Sequence, residues 1–230
     1  MLPVPIYDGS VKDVLPDANL ELVKGIKHYI VENVRTARRC LKRMVPSIEI
    51  STLQFYELNS HTRPEEITGF LEPLRNGEPV GLMSEAGCPG VADPGASVVR
   101  MAQAEGLNVV PMVGPSSILL SLMASGLNGQ CFAFNGYIPV ENDKRDKTLR
   151  ELEIRSRKNG ETEIFIETPY RNAKMMESLL KVLNGETLLC VASNITAPDE
   201  KIITRKVKDW RNKGFDLSKV PTIFLFNSGI

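Results

Sequence analysis

The sequence predicts an α/β protein built as two layered units, and three observations carry that expectation. Short apolar runs alternate with helix-length amphipathic stretches along nearly all of the 230 residues, the pattern of sheets covered by helices. Two turns rich in glycine and proline, "SEAGCPGVADPG" and "VGPSS", each follow an apolar run and precede a helical pattern. Near the C-terminus three strand-like runs follow closely, without full crossover helices between them. A mostly parallel N-terminal sheet followed by a mixed C-terminal sheet is therefore expected.

In chain order, residues 2–5 are a short apolar run and read as a strand, 19–25 as an amphipathic helix, and 26–31 as an apolar strand. Residues 35–44 form a basic helix and 48–56 a strand. Residues 63–75 read as a helix, 79–83 as a strand, 96–105 as a helix and 108–113 as a strand. A small apolar helix at 118–124 follows the second turn and opens the second unit. That unit continues with a strand at 132–135, a charged helix at 143–158, a strand at 163–167 and a helix at 172–183. Strands at 187–193, 201–207 and 221–226 close it. The boundary is placed between an N-terminal α/β domain, 1–114, and a C-terminal α/β domain, 115–230.

Composition narrows the function. The 28 basic and 28 acidic residues balance, so no global field draws the chain to nucleic acid or anionic lipid, although a local basic face remains open. No apolar stretch has the length of a membrane span, and "MLPVPIYDGS" has neither a basic start nor a long apolar core, so a cytoplasmic protein without a membrane partner is expected. Cys40, Cys88, Cys131 and Cys190 are scattered without a CxxC pair, and only His28 and His61 could join them. Reduced thiols, with neither a zinc site nor a disulfide framework, are expected.

In open α/β sheets, ligands gather beyond the carboxyl ends of strands, and both turns sit at such ends. Gly87, Gly90 and Gly95 allow close approach or positive φ, while Pro89 and Pro94 limit the loop's freedom. Ser116 and Ser117 can cap the helix that begins there, beside amides suited to a carboxylate or phosphate. Ordinary tight connections would use the same residues. No GxGxxG unit and no GxxxxGK[ST] motif is present, which argues against a dinucleotide site or a P-loop.

Taken in order and spacing, "LMSEAGCPGVADPG", "VVPMVGPSS", "SGL", "FAFNGYIP" and "IFIETPYR" resemble the tetrapyrrole-methylase superfamily of S-adenosylmethionine-dependent methyltransferases. The branch they look most like methylates a ribose 2′-oxygen of a cytidine in small-subunit ribosomal RNA. The resemblance implies two α/β domains, S-adenosylmethionine in the cleft between them, and a homodimer. Carried over by position, it implies cofactor contacts at Pro5 and Ile6, at Gly87, Cys88, Pro89 and Val91, at Ser116 and Ser117, and at Ile166, Ala192 and Thr222.

The chain departs from that branch at several positions. Glu85 and Cys88 stand where SDAGTPG has an aspartate and a threonine, and other relatives place an aspartate at the position of Cys88. "VENVR" keeps Glu32 and Arg35 of an AEDTR-like stretch, and "FYELN" keeps Glu57 and Asn59 of a YHEHN-like one. These changes lie on the substrate side more than on the cofactor side.

Methyl transfer from a sulfonium is an in-line displacement that profits from alignment and exclusion of water. Loop carbonyls from Gly87 to Val91 are expected to solvate the charged methyl, and the helix start at Ser116 to receive the cofactor carboxylate. A ribose hydroxyl must also lose a proton. Glu32, Glu57 and Glu167 are the candidate bases, with salt bridges as the alternative role of each; Arg35, Asn59 and Arg171 are candidate substrate contacts. The basic stretches "RTARRCLKR" and "KRDKTLRELEIRSRK" would make a phosphate track if both faced one cleft, and are solvated helix faces otherwise. Two alternatives stand beside an RNA methyltransferase: a methyltransferase of a tetrapyrrole or other small molecule, and a cofactor-binding homologue without turnover. Trp210 is expected to pack on the C-terminal sheet, and Met175 and Met176 to fill core.

Overall fold

A computed structural model of the chain describes residues 1–59, 62–213, 217 and 219–229. His61, one of the two histidines, lies outside the described residues. The chain divides into two compact units, Met1–Ser116 and Ser117–Ile230.

Unit one contains a three-stranded parallel sheet of β1 (His28–Val31), β2 (Gln54–Glu57) and β3 (Val80–Met83), in the order β2-β1-β3. Helices cover both faces, as buried parallel sheets require. Tyr29, Val31 and Met83 face α1 (Asp17–Lys24) and α2 (Val34–Met44), joining Val23, Ala37, Leu41 and Met44 in one core. Ile30 and Leu82, one residue out of phase, face the other way. They pack with Ile67, Leu71, Val98 and Ala102 of the segment spanning α3 (Pro64–Phe70), α4 (Glu72–Arg75) and α5 (Gly95–Ala104).

Four expectations for this unit are corrected by proline and by local hydrogen bonding. The helix read over 63–75 is two helices, because Pro73 cannot donate within a helix interior and sits in the first turn of α4. The strand read from 48 starts later, after a short 3-10 turn at Ile50–Thr52 in which Thr52 Oγ1 donates to Glu49 O at 2.8 Å. Neither 2–5 nor 108–113 forms a regular strand. Both are extended and pair only in places: Leu2 N donates to Leu82 O (2.8 Å), Val4 and Gly87 form an isolated antiparallel bridge, and Met112 N donates to Met1 O (3.1 Å). Pro3, Pro5 and Pro111 remove the donors that would complete a ladder.

Unit two opens with α6 (Ser117–Ser125) and holds a five-stranded sheet, β4 (Phe132–Tyr137), β5 (Thr162–Glu167), β6 (Leu188–Ser193), β7 (Lys201–Lys206) and β8 (Thr222–Asn227). Its order is β4-β5-β8-β6-β7, with β4 and β5 parallel and every other pair antiparallel, the mixed sheet expected. Helix α7 (Asn142–Asn159), helix α8 (Asn172–Val182) and the short α9 (Val207–Trp210) enclose a core with Phe165, Phe224 and Phe226. Trp210 is fully buried there and its Nε1 donates to Leu189 O at 2.9 Å, while Met175 and Met176 are core residues, as expected. The arginine-rich face of α7 is partly internal. Arg145 is buried and donates to Ser178 Oγ and Val140 O, and Arg155 pairs with the fully buried Glu163.

Candidate functional site

The carboxyl end of the parallel sheet collects the residues that the first unit contributes. Strand β1 runs into Glu32, and Asn33 then caps α2, its side chain accepting from the N–H groups of Arg35 (2.9 Å) and Thr36 (3.2 Å). Strand β2 ends on Glu57, whose Oε1 accepts from Asn59 Nδ2 at 2.9 Å. Strand β3 runs into the first glycine-rich turn. There Glu85 N donates to Glu32 Oε1 (3.1 Å), and Thr36 Oγ1 donates to Glu85 Oε1 (2.5 Å).

The two turns meet within this unit. Gly87 is buried at φ +73, and both its N–H and its carbonyl bond to Val4. A Cβ built on it would lie 3.4 Å from Pro115 O and 4.0 Å from Ile6 Cγ1. Cys88 Sγ lies 3.3 Å from Pro115 O, and burial pushes its pKa up. Gly114 packs so closely on the N-terminal segment that a Cβ there would be 2.1 Å from Pro3 Cβ. Pro3, Val4 and Ile6 of the N-terminal segment, the turn from Gly87, and the turn from Gly114 thus form one contact. Val91, 48% exposed, projects from it.

Asp93 was not singled out in the sequence, yet it shapes the loop. Its carboxylate accepts from Gly90 N (2.9 and 2.8 Å) and Gly95 N (2.7 Å), next to Gly90 at φ +84 and Ala92 at φ +61. Burial raises its pKa, against the lowering effect of those two N–H groups. The signal available was "ADPG", an aspartate placed to close a turn on its own backbone. Thr36 had no sequence signal, because its partner Glu85 is 49 positions away.

In unit two, Ile166 on β5 and Ala192 on β6 both pair with Ile223 of β8, so they share one face of the sheet. Thr222 is one residue out of phase. Its Oγ1 accepts from Asn172 Nδ2 at 3.1 Å and donates to Val220 O at 3.0 Å, on the side of α8. The register therefore groups Ile166 with Ala192 and turns the Thr222 side chain to the opposite face. Arg171 is paired with Glu167, through Nη2 at 2.5 Å and Nε at 2.8 Å. Ser116 is the last residue of unit one, and Ser117 begins α6.

A polar recess of about 100 Å³ lies beside Pro5, Thr36, Arg43, Ser84 and Glu85, smaller than the roughly 300–1,000 Å³ of ordinary ligand sites. A larger apolar cavity of about 440 Å³, among Ile26, Leu74, Val80, Val98 and Met112, includes none of the predicted site residues. What the first unit offers at the loop is main chain, with positive φ at Gly87, Gly90 and Ala92 and no charged side chain from Ala86 to Ala92. That donor set fits a zwitterionic ligand such as S-adenosylmethionine held by peptide groups. One expectation is narrowed. The Gly87 carbonyl already accepts from Val4 N at 2.9 Å, leaving it at most a second lone pair for a ligand. Among the described residues, no group of three or more His, Cys, Asp or Glu could hold a metal ion, and no helix is long and apolar enough to cross a membrane.

Comparison with known proteins matches residues 20–210 to the family described as Tetrapyrrole (Corrin/Porphyrin) Methylases. The chain is 31% identical over 202 residues to ribosomal RNA small subunit methyltransferase I of Vibrio cholerae, covering 88% of this chain and 66% of the relative. It spans about two thirds of that relative's length. Among solved structures, the methyltransferase CobJ superposes with a TM-score of 0.62 at 16% identity, over 94% of this chain and 89% of that one. Uroporphyrin-III C-methyl transferase from Thermus thermophilus, complexed with S-adenosyl homocysteine, superposes with a TM-score of 0.55 at 14% identity, over 98% and 96%.

Proposed function

The chain belongs to the tetrapyrrole methylase family, and from that premise we propose that it transfers a methyl group from S-adenosylmethionine to a ribose 2′-oxygen of small-subunit ribosomal RNA. The observation that carries this reading is the single contact made by Pro3, Val4 and Ile6, by Gly87 and Cys88 of the loop, and by Gly114 with Pro115. The two turns and the segment with Pro5 and Ile6 are the stretches from which cofactor contacts were expected, and their proximity within unit one supports the reading. The relative from Vibrio cholerae supports RNA as the acceptor.

The bound cofactor supplies an activated methyl group. This chain's part is to hold it by main-chain groups, align it with the acceptor oxygen and keep water away. Gly87, Cys88, Pro89 and Val91 are proposed to hold it in unit one, with Pro5, Ile6 and Ser116. Ser117, Ile166, Ala192 and Thr222 are the proposed contacts of unit two; at Thr222 the contact would be through main chain, its hydroxyl being engaged by Asn172 and Val220. Arg35 and Asn59 are proposed substrate contacts, as is Arg171, which would act while paired to Glu167. A cytoplasmic homodimer completes the proposal.

A second reading, with a tetrapyrrole or other small acceptor, is favoured by one feature: several arginines of the two basic stretches serve internal contacts. Arg145 and Arg155 do so in α7, and Arg43 bonds to Asp8 and Gly9 in unit one. Calorimetry with S-adenosylhomocysteine tests the cofactor assignment, and absence of binding would overturn it. Radiolabelled transfer to small-subunit RNA, compared with transfer to uroporphyrinogen, decides the acceptor.

A further inference from the structure

The three carboxylates that could serve as a base have different surroundings. Glu167 Oε1 accepts from Arg171 Nε and Nη2 and from Thr168 N, at 2.5 to 2.8 Å. That oxygen is committed to fixed donors, and the Arg171 cation pairs with it. Glu57 is exposed at the end of an outer strand and bonded to Asn59. Glu32 follows β1, the central strand, and borders, with Pro89 and Asp93 of the glycine-rich loop, a gap too narrow to hold a water molecule. Among the described residues its one hydrogen bond is to Oε1, from Glu85 N at 3.1 Å, and no lysine or arginine pairs with it.

The charged groups around Glu32 come from each neighbouring element. Glu85 follows β3, Asp93 belongs to the loop, Glu57 ends β2, and Arg35 lies in the first turn of α2. Burial raises the Glu32 pKa, the Glu85 N–H opposes this, and the charges of Asp93 and Glu85 raise it further. A carboxylate so placed is a better proton acceptor than an ordinary surface one.

Resting on the reading of an RNA ribose methyltransferase, we propose that Glu32 is the general base that accepts the proton of the ribose 2′-hydroxyl. The hydroxyl oxygen forms its new bond to the methyl carbon while the carbon–sulfur bond breaks with its electron pair passing to sulfur. The hydroxyl proton moves to the Glu32 carboxylate, which returns it to water.

The test compares wild type with Glu32→Gln and Glu32→Asp. It measures single-turnover methyl transfer to small-subunit RNA across pH, S-adenosylhomocysteine affinity by calorimetry, and carboxyl titration by 13C NMR on glutamate-labelled protein. Glu32→Gln is expected to bind S-adenosylhomocysteine within about twofold of wild type while transfer falls about 100-fold or more. Its acid limb, which in wild type follows the Glu32 titration seen by NMR, is expected to vanish. Glu32→Asp is expected to keep part of the activity with that limb displaced. Transfer by Glu32→Gln within about threefold of wild type, or an unchanged acid limb in either variant, overturns the base assignment alone. Parallel loss of S-adenosylhomocysteine affinity in both variants also overturns it, in favour of a structural role. A wild type that binds the cofactor but methylates no RNA overturns the underlying reading, and the base with it.

Discussion

Cys88 points its thiol at the main-chain oxygen of Pro115, 3.3 Å away, and the Gly114 carbonyl lies 3.8 Å from the same sulfur. One side chain thereby latches two turns that are about thirty residues apart. An aspartate, which other family members are expected to carry here, would set its carboxylate against two electron-rich carbonyl oxygens. Cys88→Asp is expected to lower stability by about 1–3 kcal/mol and to weaken S-adenosylhomocysteine binding. Cys88→Ser, which keeps a donor, should stay within about 1 kcal/mol of wild type. Urea midpoints and calorimetry check both.

Gly114 is required by packing. A methyl group there would overlap Pro3 Cβ at 2.1 Å, and two backbone segments, neither of them a flexible side chain, would have to part. Gly114→Ala is expected to cost about 1–3 kcal/mol and to disturb the cofactor loop through the neighbouring Pro115. Thermal unfolding together with S-adenosylhomocysteine titration measures both effects.

The raised carboxyls give stability a definite pH dependence. Glu32 and Asp93 hold their protons more tightly in the folded than in the unfolded chain, so each favours the fold at low pH. That contribution is lost as pH rises out of the ordinary carboxylate range and through the raised values. Glu32→Gln cannot ionise, so its melting temperature relative to wild type's is expected to rise from about pH 4 to about pH 8. Scanning fluorimetry at the two pH values measures the difference.

In unit two, Glu163 is fully buried and held by Arg155 and by Asn135 Nδ2, the latter at 2.8 Å. Arg155→Ala would strand that carboxylate in the sheet. The expected loss is about 1–3 kcal/mol, below that of a fully buried pair because Arg155 is partly solvated. Urea unfolding measures it.

The alternation of apolar runs and amphipathic stretches made the layering legible, since Tyr29, Ile30 and Val31 need only the period of two to be sent to opposite cores. The strands read at 2–5 and 108–113 failed where apolar character was present but proline had removed the donors. At the site, the glycine and proline punctuation marked both turns, because their backbone demands are local. What sequence could not show depends on distant partners. The Thr36 bond to Glu85 and the engagement of the Thr222 hydroxyl by Asn172 are of that kind. The latter follows from β8 lying between β5 and β6, an arrangement no local pattern announces.

The prolines at 3, 5 and 111 also bear on how the molecule meets its neighbours in a crowded solution. Past β3 the parallel sheet continues only as extended chain held by scattered bonds. That margin would otherwise be a template on which a foreign strand could grow. Rings without N–H groups leave it unable to offer a regular row of donors, so the same residues that interrupt the sheet also guard it against association edge to edge.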